Sequence, residues 1–152
     1  MATLQILCTL RNVKSFLDVY ASDLLPPSIT KTCTIIVNAD PQTKVGSHWL
    51  EVQFRPKSSY AYNFDSYGIV PFVPDILALI KRNCTTWDLN RRQLQSPSSD
   101  FCCKYCGVFA LYLDRGYTLQ QFVALFGEVG AADLEVKRMF TVKFGAEVPR
   151  GV

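Results

Sequence analysis

Residues 102–113 read CCKYCGVFALYL, a helical stretch with apolar side chains on nearly every side. A helix of this kind has no face to give to water, so it belongs in the interior of a layered fold. The segments before it supply a layer to cover it. TCTIIVNA (32–39) is rich in β-branched residues, and HWLEVQF (48–54) alternates. Trp49, Glu51 and Gln53 fall on one side of that strand and Leu50, Val52 and Phe54 on the other, giving one mixed and one apolar face. YAYNFDS (60–66) puts Tyr60, Tyr62 and Phe64 together. The turn-forming stretches DPQTKVGS and RPKSS separate the three, which therefore read as consecutive antiparallel strands.

The rest of the chain reads mainly as helix. The spacing of Val13, Phe16, Leu17 and Tyr20 predicts a first helix, stopped by Pro26 and Pro27. Pro71 and Pro74 open another, with Ile76, Leu77, Leu79 and Ile80 apolar and Lys81 and Arg82 at its end. RRQLQ (91–95) is read as a short edge strand and SPSSD as a loop. Helices are expected over 118–126 and 133–140, and KFGAEVPRGV as a loose tail. This order gives an α+β fold rather than a regular βαβ series, with a central antiparallel or mixed sheet packed by helices. Neither repeats nor linkers divide the chain, so residues 1–152 are expected to form a single domain.

Six cysteines stand at 8, 33, 84, 102, 103 and 106. The N-terminal stretch lacks the basic start, apolar run and cleavage site of a signal peptide, so reduced cysteines and an intracellular location are expected. No apolar run approaches the roughly 20 residues of a membrane span. A structural zinc site wants four ligands, often as two separated pairs, and Cys103–Cys106 has no second CxxC to join it. No metal is therefore expected. A thioredoxin-like pair would sit in a βαβ setting that the element order does not offer. Burial as ordinary core residues suits Cys106 best. Cys102 falls at the helix start, where unpaired N–H groups and the helix dipole favour a thiolate.

A nucleophilic cysteine needs a base, and His48 is the only histidine. It begins a strand beside a loop. Asp65 lies 17 residues later, at the end of the next strand. If the two strands pair as a hairpin, His48 and Asp65 become cross-strand neighbours, and the carboxylate can fix the imidazole tautomer.

These motifs resemble those of the adenovirus-type maturation proteases (adenain-like), papain-like but circularly permuted cysteine endopeptidases. Relatives occur in large DNA transposons and other DNA viruses, and the clan includes the proteases of ubiquitin-like modifiers. The similarity runs from about Cys33 to about Leu113. CTIIVNADPQTKVGSHW (33–49) is similar to the segment ending in the family's histidine and tryptophan, NFDSYG (63–68) to the one carrying the acid, and QSPSSDFC (95–102) to the stretch joining the oxyanion glutamine to the nucleophile. The resemblance implies catalytic roles for Cys102, His48, Asp65 and Gln95, with Trp49 in the substrate cleft. The adenoviral enzymes have glutamate where Asp65 stands. The family nucleophile is normally followed by glycine, and here Cys103 follows Cys102. The only Cys-Gly pair is Cys106–Gly107, which makes Cys106 the alternative nucleophile. The seven-residue spacing from Gln95 favours Cys102.

The same resemblance implies hydrolysis of polypeptides after small residues such as glycine, with viral capsid or core precursors as substrates and the host nucleus or virion as location. No cofactor is required by the chemistry, although the adenoviral enzymes use DNA and a short peptide as activators. The formal net charge of +3 and the dispersed basic pairs give DNA binding little support. A ubiquitin-like-modifier protease, an inactive scaffold with the same fold and a small zinc-binding module stand as alternatives.

Overall fold

Strand β3 (Trp49–Arg55) is the centre of the molecule. Its neighbours are β2 (Cys33–Asn38) and β4 (Tyr60–Phe64), both antiparallel to it. The structure, a computed structural model, describes residues 10, 13–39, 48–68, 74–97 and 101–144. The expected three-strand meander is present, and each edge gains a parallel strand. β1 (Phe16–Ala21) pairs with β2 and β5 (Thr86–Leu89) with β4, giving a five-stranded mixed sheet in the order β1-β2-β3-β4-β5.

Four helices complete this α+β arrangement among the described residues: α1 (Pro74–Asn83), α2 (Cys102–Asp114), α3 (Leu119–Val123) and α4 (Val129–Phe144). Helix α1 makes the crossover between parallel β4 and β5. Its Ile76, Leu79 and Ile80 pack on Ile35, Val37, Leu50, Val52 and Phe54. The opposite face of the sheet is covered by α2. There Cys102, Cys106 and Ala110 meet Ile36 and Trp49, while Tyr105, Phe109 and Leu113 join Tyr62, Phe64 and residues of α3 and α4. The Phe64 and Phe109 rings stack at 4.6 Å. Alternation along β3 thus sends successive side chains into two separate cores, and α2 is enclosed much as its composition demands.

Two expectations fail. Residues 16–21 form a strand, not a helix. Phe16, Val19 and Tyr20 suit a strand, and β2 offers its open edge for pairing. A register shift between Phe16 and Asp18 leaves Leu17 out of the ladder and 40% exposed. That bulge breaks the two-residue alternation, and the remaining apolar spacing imitates a helix. The second failure is RRQLQ, which is a loop. The edge strand lies earlier, at Thr86–Leu89, where threonine and tryptophan favour extended chain. Leu94 and Gln95 both donate their backbone N–H to one acceptor, the Ser66 carbonyl, at 2.9 Å, which is no ladder pattern.

The helix expected over 118–126 is confined to α3, opened by a reciprocal cap between Thr118 and Gln121. The stretch 133–140 lies inside α4. Pro71, the 40–47 turn and the tail beyond Phe144 lie outside the described residues. Among the described residues, no helix is long and apolar enough to cross a membrane.

Candidate active site

His48 directly precedes β3, and Asp65 directly follows β4. The β3–β4 ladder ends at Glu51–Phe64, so the two residues are not themselves a ladder pair. Their side chains nevertheless meet, with His48 Nε2 and Asp65 Oδ1 2.8 Å apart. Asp65 is 2% exposed and His48 12%. The same carboxylate oxygen accepts the Tyr67 backbone N–H at 2.8 Å, and the Tyr67 ring leans on the imidazole at 4.7 Å between centroids.

The backbone of Asp65 is bracketed by one side chain. Asn90 Oδ1 accepts the Asp65 N–H at 3.0 Å, and Asn90 Nδ2 donates to the Asp65 carbonyl at 2.5 Å. The turn that follows presses against the 90–95 loop. Gly68, with φ of +69°, is required there: a Cβ would lie 2.7 Å from the Arg92 carbonyl carbon.

Cys102 is the first residue of α2. The N-cap is Phe101, whose side chain makes no capping hydrogen bond, so the first-turn N–H groups are directed at the thiol's end of the helix. The thiol is lowered to about 5. A hydrogen bond from the Cys103 thiol contributes most. Burial opposes it, and the imidazole of His48 and the Trp49 backbone N–H add to the lowering. His48 is raised to about 9: burial disfavours its charge, but Asp65 and Cys102 together outweigh burial. Nε2 is committed to Asp65, which leaves Nδ1 for the thiol. Nδ1 is buried and has no hydrogen bond of ordinary geometry. The sulfur acts on the ring as a close polar neighbour and as a charge. The arrangement favours a thiolate beside an imidazolium.

The other cysteines differ in kind. Cys106 lies one turn further into α2 and is 1% exposed, with its Sγ 3.9 Å from the Trp49 carbonyl oxygen. Burial, followed by the nearby Glu51 and Cys102, pushes its thiol well up. The Cys103 thiol is also pushed up, first by its hydrogen bond to Cys102 and then by burial. Trp49 is 5% exposed and packs beneath Cys102 in the same apolar cluster.

Gln95 is 1% exposed, on the loop next to Asp65. Its Oε1 accepts from Ser66 Oγ at 2.6 Å. Asp133 of α4 braces this loop, accepting the Ser96 N–H at 3.2 Å and the Tyr105 hydroxyl at 2.8 Å. Arg92 ties the same loop to the α3–α4 connection through the carbonyls of Val123, Phe126 and Gly127. Arg92 and the Glu135-paired Arg138 are thus engaged within the chain.

Cys102, His48 and Asp65 therefore meet at one place, and Gln95 is joined to it through Ser66. Sequence reasoning missed Ser66, Tyr67, Asn90 and Asp133. Ser66 and Tyr67 lie inside the NFDSYG motif, whereas Asn90 and Asp133 carry no local signal. Among the described residues, no group of three or more His, Cys, Asp or Glu side chains is placed to hold a metal ion. Compared with protein-family models and with curated proteins, the chain matches none.

Proposed function

We propose that the chain is a cysteine endopeptidase of the papain-like, circularly permuted type that its motifs resemble. The observation that carries this reading is the meeting of Cys102 and His48, with His48 Nε2 2.8 Å from the buried Asp65 carboxylate; in that setting the thiol is lowered to about 5 and the imidazole raised to about 9. Between those values the nucleophile is a thiolate and the acid is ready-made.

In the proposed reaction the Cys102 thiolate attacks the scissile carbonyl carbon. The carbonyl π electrons move to oxygen, and the oxyanion is met by the Cys102 backbone N–H and the Gln95 amide. Collapse expels the amine, which takes its proton from His48 and leaves a thioester on Cys102. Neutral His48 then removes a proton from water, the hydroxide attacks the thioester, and the carboxylic acid product departs as the thiolate–imidazolium pair returns. Asp65 holds the ring in the orientation both halves need.

The substrate class proposed is polypeptide cut after small residues such as glycine, with viral structural precursors as the natural targets. This part rests on the motif resemblance alone. The test is cleavage of a panel of glycine-containing peptides. The wild-type chain should cut a subset, and Cys102→Ala should cut none. Cleavage that survives Cys102→Ala, or a wild-type chain that cuts nothing, rejects the proposal.

A further inference from the structure

We infer that Ser66 is a positioning residue that sets the rotation of the Gln95 amide, so that its NH2 end serves the oxyanion; this rests on the peptidase reading above. A carboxamide has two ends of similar shape and opposite polarity. Turned one way it donates to a developing negative charge. Turned the other way it presents an oxygen and repels that charge. The orienting group must therefore supply a donor to Oε1, away from the reaction.

Ser66 does this. Its Oγ donates to Gln95 Oε1 at 2.6 Å, and both residues are 1% exposed. Water has little access to take over that role, so a buried Oε1 without a donor is costly. The Ser66 carbonyl also accepts the backbone N–H groups of Leu94 and Gln95. One residue thus fixes both the loop and the amide it carries. Ser66 follows Asp65, whose own N–H and carbonyl are held by Asn90. The acid that orients the base and the serine that orients the oxyanion donor are adjacent in the chain. A shift of this turn would disturb both, and the turn is held by Asn90 on the Asp65 backbone and by the close approach of Gly68 to Arg92.

Two reactions of Cys102 separate this role from simple loss of structure. Peptide hydrolysis passes through an oxyanion, whereas alkylation by iodoacetamide is a displacement at carbon and needs none. Ser66→Ala should lower kcat about 10- to 100-fold. KM and the iodoacetamide rate at Cys102 should stay within about twofold, since neither uses the oxyanion contact. Gln95→Ala should give a loss of at least the same size, and adding Ser66→Ala to it should cost almost nothing more, because the serine acts only through the amide. Ser66→Thr, which keeps the hydroxyl, should restore most of the rate. Parallel loss of hydrolysis and alkylation in Ser66→Ala, or full additivity with Gln95→Ala, overturns the inference and leaves the peptidase reading intact. A wild-type chain that alkylates at Cys102 but hydrolyses no peptide overturns both.

Discussion

Strand β3 serves two cores, and it serves them differently. Toward α1 it presents Leu50, Val52 and Phe54 to a mainly aliphatic cluster that includes Cys33 and Cys84, both ordinary thiols pushed up by burial. Toward α2 it presents Trp49, Glu51 and Gln53, and against them lie two cysteines, one lowered and one raised in pKa. The first face holds the sheet together by area alone. The second carries polar atoms at the same depth, where burial costs least if each is paired. The Asp65 carboxylate meets that condition, with His48 Nε2 and the Tyr67 backbone N–H as its partners. Glu51 does not: it is fully buried, and neither carboxylate oxygen has a hydrogen-bond partner. Burial, with a smaller contribution from Asp114, drives its pKa well up, which favours the protonated acid. The lesson is that the chemical face bears a stability cost which the aliphatic face offsets.

The comparison breaks first at Cys102. Cys102→Ser should reduce peptide cleavage by at least about 10³-fold while thermal unfolding stays within a few degrees of wild type. A large stability loss without an activity loss would show that the second face is only packing.

The pH profile sharpens the same point. A lowered thiol is ionised above its own pKa, so alkylation of Cys102 should reach half its plateau near pH 5 rather than near that of an ordinary thiol. Peptide cleavage should fall again above about pH 9, where His48 loses the proton the leaving amine needs. An alkylation midpoint near 8 to 9 contradicts the ion pair.

On the aliphatic face the sign reverses. Leu79→Ala, at a fully buried position in α1, should cost about 2–5 kcal/mol in denaturant unfolding. In the folded fraction the alkylation midpoint of Cys102 should not move.

The smallest effect is expected at Glu51. Its folded-state pKa lies above the unfolded value, so the fold retains a proton that the unfolded chain gives up. Stability is therefore full below roughly pH 4.3 and falls as pH rises from there. Glu51→Met should stabilise the chain by about 1–3 kcal/mol at pH 7 and flatten that slope. Destabilisation of similar size at pH 7, read by urea titration, would mean the carboxyl has a partner of its own.

What the sequence made legible follows from the same geometry. Alternation along 48–54, β-branched content in 33–38 and the all-round apolar run after Cys102 were read correctly, because burial on both sides leaves a strong pattern. The seventeen-residue step from His48 to Asp65 was legible because a tight meander brings strand ends together. β1 was misread because a bulge at Leu17 cancels its alternation, and β5 because four residues are too few to show any. Asn90 and Asp133 escaped notice because they act through backbone contacts across 25 and 37 residues, which no local spacing encodes.

The most direct measurement is to treat the protein with a limiting amount of a thiol-reactive peptide electrophile and map the modified residue by mass spectrometry. One fast adduct on Cys102, abolished by His48→Ala, is the predicted result. Preferential labelling of Cys106 or Cys103, or labelling of Cys102 at an unchanged rate without the imidazole, would contradict the thiolate–imidazolium centre.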